Sequence, residues 1–142
     1  MSKQLNNIIA MNPSAQLYYQ RALKAFDRQQ MDKGITYLKR GISLAWNNQD
    51  YYYGQIQLAL MYQHAGRFEE SIELIEELIR EQKSTYPDLY YFQAVNLSYL
   101  NRFEEALTYL EEFQYILDQN SFLDSQYQEE AERMVEMINQ QL

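Results

Sequence analysis

Apolar residues in this chain recur at three- and four-residue steps, the spacing of helices that bury one face. Residues 67–78 read RFEESIELIEEL, and residues 102–113, thirty-five positions later, read RFEEALTYLEEF. A helical pair that recurs at about 34 residues cannot bury its own apolar face, so it must stack on a copy of itself. Small residues fall at matching places in three segments, each pair twelve apart: Ala22 and Gly34, Ala59 and Ser71, Ala94 and Ala106. That spacing puts one small side chain on each of two helices joined by a tight turn, where their backbones approach closely. Gln29, Gly66 and Asn101 occupy the turn itself. Gly and Asn tolerate the left-handed conformation that ends a helix, and Gln is a poorer choice. Beyond the turn come Met31, Phe68 and Phe103, and then Leu38, Ile75 and Leu110 continue each apolar stripe. The doublets Glu69-Glu70 and Glu104-Glu105 sit in the first turn of their helices, where carboxylates complement the helix dipole.

Asn12-Pro13 reads as a helix start, because Asn can cap and Pro is preorganised for the first helical position. Ser121-x-x-Asp124 resembles a capping box, and Leu123, Tyr127, Ala131, Met134 and Ile138 follow at helical spacing. The chain is thus expected to be a single domain over 1–142. Residues 1–12 would form an arm or short helix, three helical pairs would span 13–47, 48–84 and 87–119, and a capping helix would occupy 121–141.

These residues resemble the tetratricopeptide repeat, whose pattern runs roughly W-x2-L-G-x2-Y, then A-x3-F, then P. The second segment matches as Leu58-Ala59-x2-Tyr62 and Ser71-x3-Ile75, the third as Tyr90-x2-Gln93-Ala94-x2-Leu97 and Ala106-x3-Leu110. The first is degenerate, with Tyr18-x2-Arg21-Ala22-x2-Ala25 and Gly34-x3-Leu38, and none has the closing Pro. The resemblance implies an all-α, right-handed α-solenoid of three such repeats plus the C-terminal capping helix. It also implies that the first helix of each pair lines a concave groove. Matched by spacing, the groove residues are Tyr19, Leu23 and Phe26, then Tyr53, Ile56, Leu60 and His64, then Tyr91, Phe92, Val95 and Tyr99. Relatives that clamp acidic chaperone tails use Lys, Arg and Asn in these places. The inward positions here carry no Lys or Arg, so a buried carboxylate would go uncompensated and that role is disfavoured.

Composition narrows the chemistry. The absence of Cys excludes disulfides, thiolate metal sites and Cys nucleophiles. His64 is the only His, no glycine-rich phosphate loop exists, and the acidic doublets read as a solvated outer face. No enzyme, metal or cofactor is therefore expected. A formal net charge of −8 argues against nucleic acid and acidic membrane surfaces. No apolar run approaches the ~20 residues of a membrane span, and the expected location is cytoplasmic. The expected function is a non-catalytic protein–protein interaction module that binds an apolar or amphipathic peptide or helix in its groove. Tyr19, Phe26, Leu60, Tyr91, Phe92 and Tyr99 would supply the anchors. Two alternatives stay open: a self-associating scaffold, that is a homo-oligomer joined by the apolar faces, and a peptide-sensing regulator acting through a partner.

Overall fold

A computed structural model describes residues 14–82 and 86–142. Among them are seven helices and no strand: α1 Ala15–Asp27, α2 Met31–Ser43, α3 Asn48–His64, α4 Phe68–Gln82, α5 Asp88–Tyr99, α6 Phe103–Gln119 and α7 Gln128–Gln141. The expected start at Asn12-Pro13 and the arm before it lie outside the described residues. The described residues fall into two compact units, divided between Ala65 and Gly66.

In the first unit α1, α2 and α3 pack on one another. The Ser14 hydroxyl caps α1 by accepting the Leu17 N–H at 3.3 Å, and Asn47 caps α3 by accepting the Asp50 N–H at 2.7 Å. Ala22 is fully buried, and a Cβ on Gly34 would lie 3.4 Å from its carbonyl oxygen, so this small pair does set the α1–α2 approach. Two further glycines receive Tyr19. A Cβ on Gly41 would fall 2.6 Å from its ring, and one on Gly54 would collide with its hydroxyl. Tyr19 thereby crosses from α1 into a slot between α2 and α3, where its hydroxyl donates to the Asp50 carbonyl at 2.8 Å.

The second unit is built around α5, which packs against α4 and α6, while α7 packs on α6. Leu89, Tyr90, Phe92, Ala94 and Leu97 of α5 are all buried, which leaves only a narrow, partly exposed stripe at Tyr91, Val95, Ser98 and Tyr99. Its buried amides are satisfied. Gln93 donates to the Ile72 carbonyl at 3.0 Å, and Asn96 donates to the Ser71 hydroxyl at 2.8 Å and to the Gln93 side-chain oxygen at 3.3 Å. Ala94 and Ala106, both fully buried, let α5 and α6 approach closely. Leu110, Phe113 and Ile116 complete the core, and burying each such side chain contributes about 1.5–3 kcal/mol.

The turn residues behave as their types imply. Gln29 and Asn101 have φ of 60°, and Gly66 has φ of 76°. After the first two, the Gln30 N–H reaches the Ala25 carbonyl and the Arg102 N–H reaches the Leu97 carbonyl, each at 2.8 Å. In the repeated phrase the arginine is paired. Arg67 forks onto Glu70 at 2.6 and 2.7 Å, and Arg102 onto Glu105 at 3.0 and 2.6 Å. These are exposed, solvent-screened pairs that tidy the helix start and contribute little to stability.

One boundary differs from expectation: α7 begins at Gln128, not at residue 121. The intervening polar side chains bond elsewhere. Asp124 accepts the Ser125 N–H at 2.8 Å, while the Ser125 hydroxyl donates to Asp88 and accepts the Tyr127 N–H at 3.1 Å. Short polar side chains that satisfy the backbone in turns compete with helix, and here they hold it off for a further seven residues.

Candidate functional site

A concavity of about 490 Å³ in the second unit lies between α5 and α7. From α5 come Tyr91, Val95, Ser98 and Tyr99, from α6 Phe103, and from α7 Met134, Met137, Ile138, Gln140 and Gln141. Helical spacing places 91, 95 and 98–99 on one side of α5. The same step of three and four aligns 134, 137, 138 and 141 on α7.

Its walls are held from behind. Tyr91 stacks on Tyr127 at 4.7 Å with planes 11° apart, and Tyr99 stacks on Phe68 at 4.8 Å and 12°. The Ser98 hydroxyl points to the Met134 sulfur at 3.7 Å. Tyr99 remains 67% exposed and Met137 62% exposed, so the rim offers aromatic and thioether surface to solvent. Burial, then the charge of Glu130, pushes the Tyr91 phenol above its ordinary pKa, and it stays a neutral O–H donor at neutral pH. Among the described residues, no charged side chain lines this concavity.

A second, smaller concavity of about 330 Å³ lies in the first unit between α1 and α3. Gln16, Tyr19, Gln20 and Leu23 face Gln49, Asp50 and Tyr53 across it. The Tyr19 phenol is pushed up to about 12, chiefly by burial and then by Asp50 and Tyr53. Amides dominate here, and among the described residues Asp50 is the one charge in the lining.

The groove residues expected from sequence therefore fall into separate sets. Tyr91, Val95 and Tyr99 meet in the larger concavity, and Tyr19, Leu23 and Tyr53 in the smaller. Phe26 and His64 pack edge to face at 5.1 Å, while Ile56 and Leu60 are half-buried on α3. Two members need correction as surface anchors. Tyr19 is only 5% exposed, because its ring fills the Gly41–Gly54 slot. Phe92 is also 5% exposed, because it turns inward beside Tyr127, whose ring it meets edge-on at 5.3 Å. Sequence reasoning had not placed Phe103, Met134, Met137 or Ile138 at the site. The spacing of the α7 residues was a usable signal, but only the packing of the chain shows that this stripe faces α5.

Among the described residues, no group of three or more His, Cys, Asp or Glu side chains converges as metal ligands. No helix among them is long and apolar enough to cross a membrane.

No protein-family model matches the chain. It is 23% identical over 132 residues to the TPR repeat-containing protein YvcD of Bacillus subtilis (strain 168), an alignment covering 93% of this chain and 26% of that protein. The chain thus spans about a quarter of the length of this curated relative. Among solved structures it resembles YrrB, described as a TPR protein with an unusual peptide-binding site. That match has a TM-score of 0.66 and 20% identity, over 80% of this chain and 57% of that one. It also resembles the TPR-like repeats of a putative kinesin light chain from Podosopora anserina, with a TM-score of 0.63 and 19% identity, over 87% of this chain and 74% of that one. Recurrent phrase, paired helices and these likenesses agree, and the chain is a protein of the tetratricopeptide-repeat fold.

Proposed function

We propose that this chain is a non-catalytic interaction module, and that the concavity between α5 and α7 seats an apolar side chain of a partner peptide or helix. The observation that carries this reading is the lining itself: aromatic rings, thioethers and amides, with no charge to be desolvated. Methionines adapt to irregular apolar shapes, and rigid Tyr rings supply contact area at little entropy cost. Around that anchor the Tyr hydroxyls, Ser98, Gln140 and Gln141 offer donors and acceptors to a partner backbone. The volume is sufficient for one large aliphatic or aromatic residue, which suits a short linear segment better than a broad domain surface. YrrB, which shares the fold, is itself described as having a peptide-binding site.

Selection from a displayed random-peptide library, followed by calorimetry on the winning sequences, tests the proposal. Micromolar binders, at about −8 kcal/mol, are expected, each with at least one large apolar residue. Tyr99→Ala with Met137→Ala should weaken them about tenfold or more, since both side chains are exposed and can be removed with the fold intact. Phe92 is unsuitable for this purpose, because truncating it would damage the core. Selected peptides whose affinity is unchanged by the double substitution, in protein of unchanged thermal unfolding, would remove the concavity as the site.

A further inference from the structure

The net charge of −8 conceals a strong segregation. Residues 1–65 hold seven Lys and Arg against three Asp and no Glu, whereas residues 66–142 hold five against seventeen acids. Much of the excess positive charge lies on one side of α1. Arg21, Lys24 and Arg28 are exposed and, with Lys33 and Tyr37 of α2, surround a shallow notch of about 140 Å³. This is a different side of α1 from the one that contributes Tyr19 and Leu23 to the smaller concavity. None of the three α1 cations makes an ion pair among the described residues. The notch is also structured: Arg21 lies over the Tyr18 ring at 5.3 Å, Lys33 over the Tyr37 ring at 5.9 Å, and the two rings are 6.1 Å apart. Residues 1–13, the chain's own leading segment, contain one Lys and no acid, so they bring no charge complement.

The complement is present elsewhere in the same sequence. Glu129, Glu132 and Glu136 on α7 repeat the steps of three and four that separate Arg21, Lys24 and Arg28, and all are exposed. Seven residues of helix span about 10.5 Å, so the two stripes have equal length and register. Glu132 and Glu136 make no ion pair among the described residues.

We infer that the α1 stripe docks the α7 acidic stripe of a second copy of this chain, a heterologous contact built from different surfaces on the two partners. The inference is independent of the apolar concavity proposed above. Exposed ion pairs are individually weak, so association is expected only at high protein concentration and low ionic strength.

Sedimentation velocity of the full chain up to ~1 mM, at ~20 mM and ~500 mM salt, provides the test. The expected result is oligomers at low salt that dissociate at high salt. Arg21→Glu/Lys24→Glu/Arg28→Glu should weaken association about tenfold or more, and Glu132→Lys/Glu136→Lys should do the same. Mixing these two variants should restore it, because each then presents the charge the other needs. All are exposed positions, and circular dichroism verifies that each variant is folded. A wild-type chain that stays monomeric at low salt overturns the inference. Titrating that monomer with a Glu-rich helical peptide and with a short DNA duplex would then show which other polyanion the stripe takes. Association that survives both charge reversals, or that the mixture fails to rescue, equally overturns it.

Discussion

Gly54→Ala is the substitution whose outcome depends most directly on the geometry of the first unit. In an isolated helix the change is favourable by about 1 kcal/mol, since Ala is the better helix former. Here the new methyl would collide with the Tyr19 hydroxyl and lie 2.6 Å from the Ile42 side chain and 2.7 Å from the Tyr19 ring carbon bearing the hydroxyl. The ring cannot retreat toward α2, because Gly41 already leaves only enough room for its other edge. Overpacking of this kind costs about 1–3 kcal/mol, and displacing the hydroxyl from the Asp50 carbonyl adds about 0.5–1.5 kcal/mol. Net destabilisation of about 0.5–3.5 kcal/mol follows once the propensity gain is subtracted. A second substitution isolates the cause. In a Tyr19→Leu background no ring reaches Gly54 and only the overlap with the Ile42 side chain remains, so Gly54→Ala should cost at least about 1 kcal/mol less than it does in the wild type. The coupling between the two positions should therefore be at least about 1 kcal/mol. Urea unfolding followed by circular dichroism at helical wavelengths measures all four proteins. If Gly54→Ala is as stable as wild type, or costs the same in both backgrounds, Tyr19 does not occupy that slot.

Substitutions at equivalent turn positions should have opposite signs. Gln29→Gly relieves a side chain held at φ of 60° and should stabilise by about 0.5–1 kcal/mol, whereas Gly66→Ala, at φ of 76°, should cost about 1 kcal/mol. Both are read as shifts in thermal midpoint. Asn96→Leu removes the donor that serves the Ser71 hydroxyl and the Gln93 oxygen, and should destabilise by about 1–3 kcal/mol despite the gain in hydrophobicity. A thermal midpoint at or above wild type would contradict the role given to that network. Alkaline pH should unfold the chain through Tyr19 and Tyr86, whose phenols are raised from 10.0 to about 12, chiefly by burial and then by Asp50 and Asp88 respectively. Each is protonated when folded but ionises near 10 when unfolded. Their contribution is complete below about pH 10 and is lost as pH rises through about 12. Stability that stays flat over that window would refute the assignment.

Features that depend on a few neighbouring residues were legible without any structure. The recurrent RFEE phrase, the Ala22–Gly34 and Ala94–Ala106 pairs and the turn positions 29, 66 and 101 each encode a local conformation or a close contact across one short turn. Backbone sterics and 3.6-residue periodicity act at that range, and sequence spacing records them faithfully. Tertiary structure decided which of several apolar faces each helix covers. Periodicity put Phe92 beside Tyr91 near the expected groove, yet α5 is packed on all but one narrow side, so Tyr91 lines a concavity and Phe92 is core. Tyr19 turned inward because two glycines, on α2 and α3, leave space for it. The start of α7 was settled by a hydrogen bond from Ser125 to Asp88, thirty-seven residues away. Such contacts join residues distant along the chain, and only folding brings together the side chains that decide between burial and exposure.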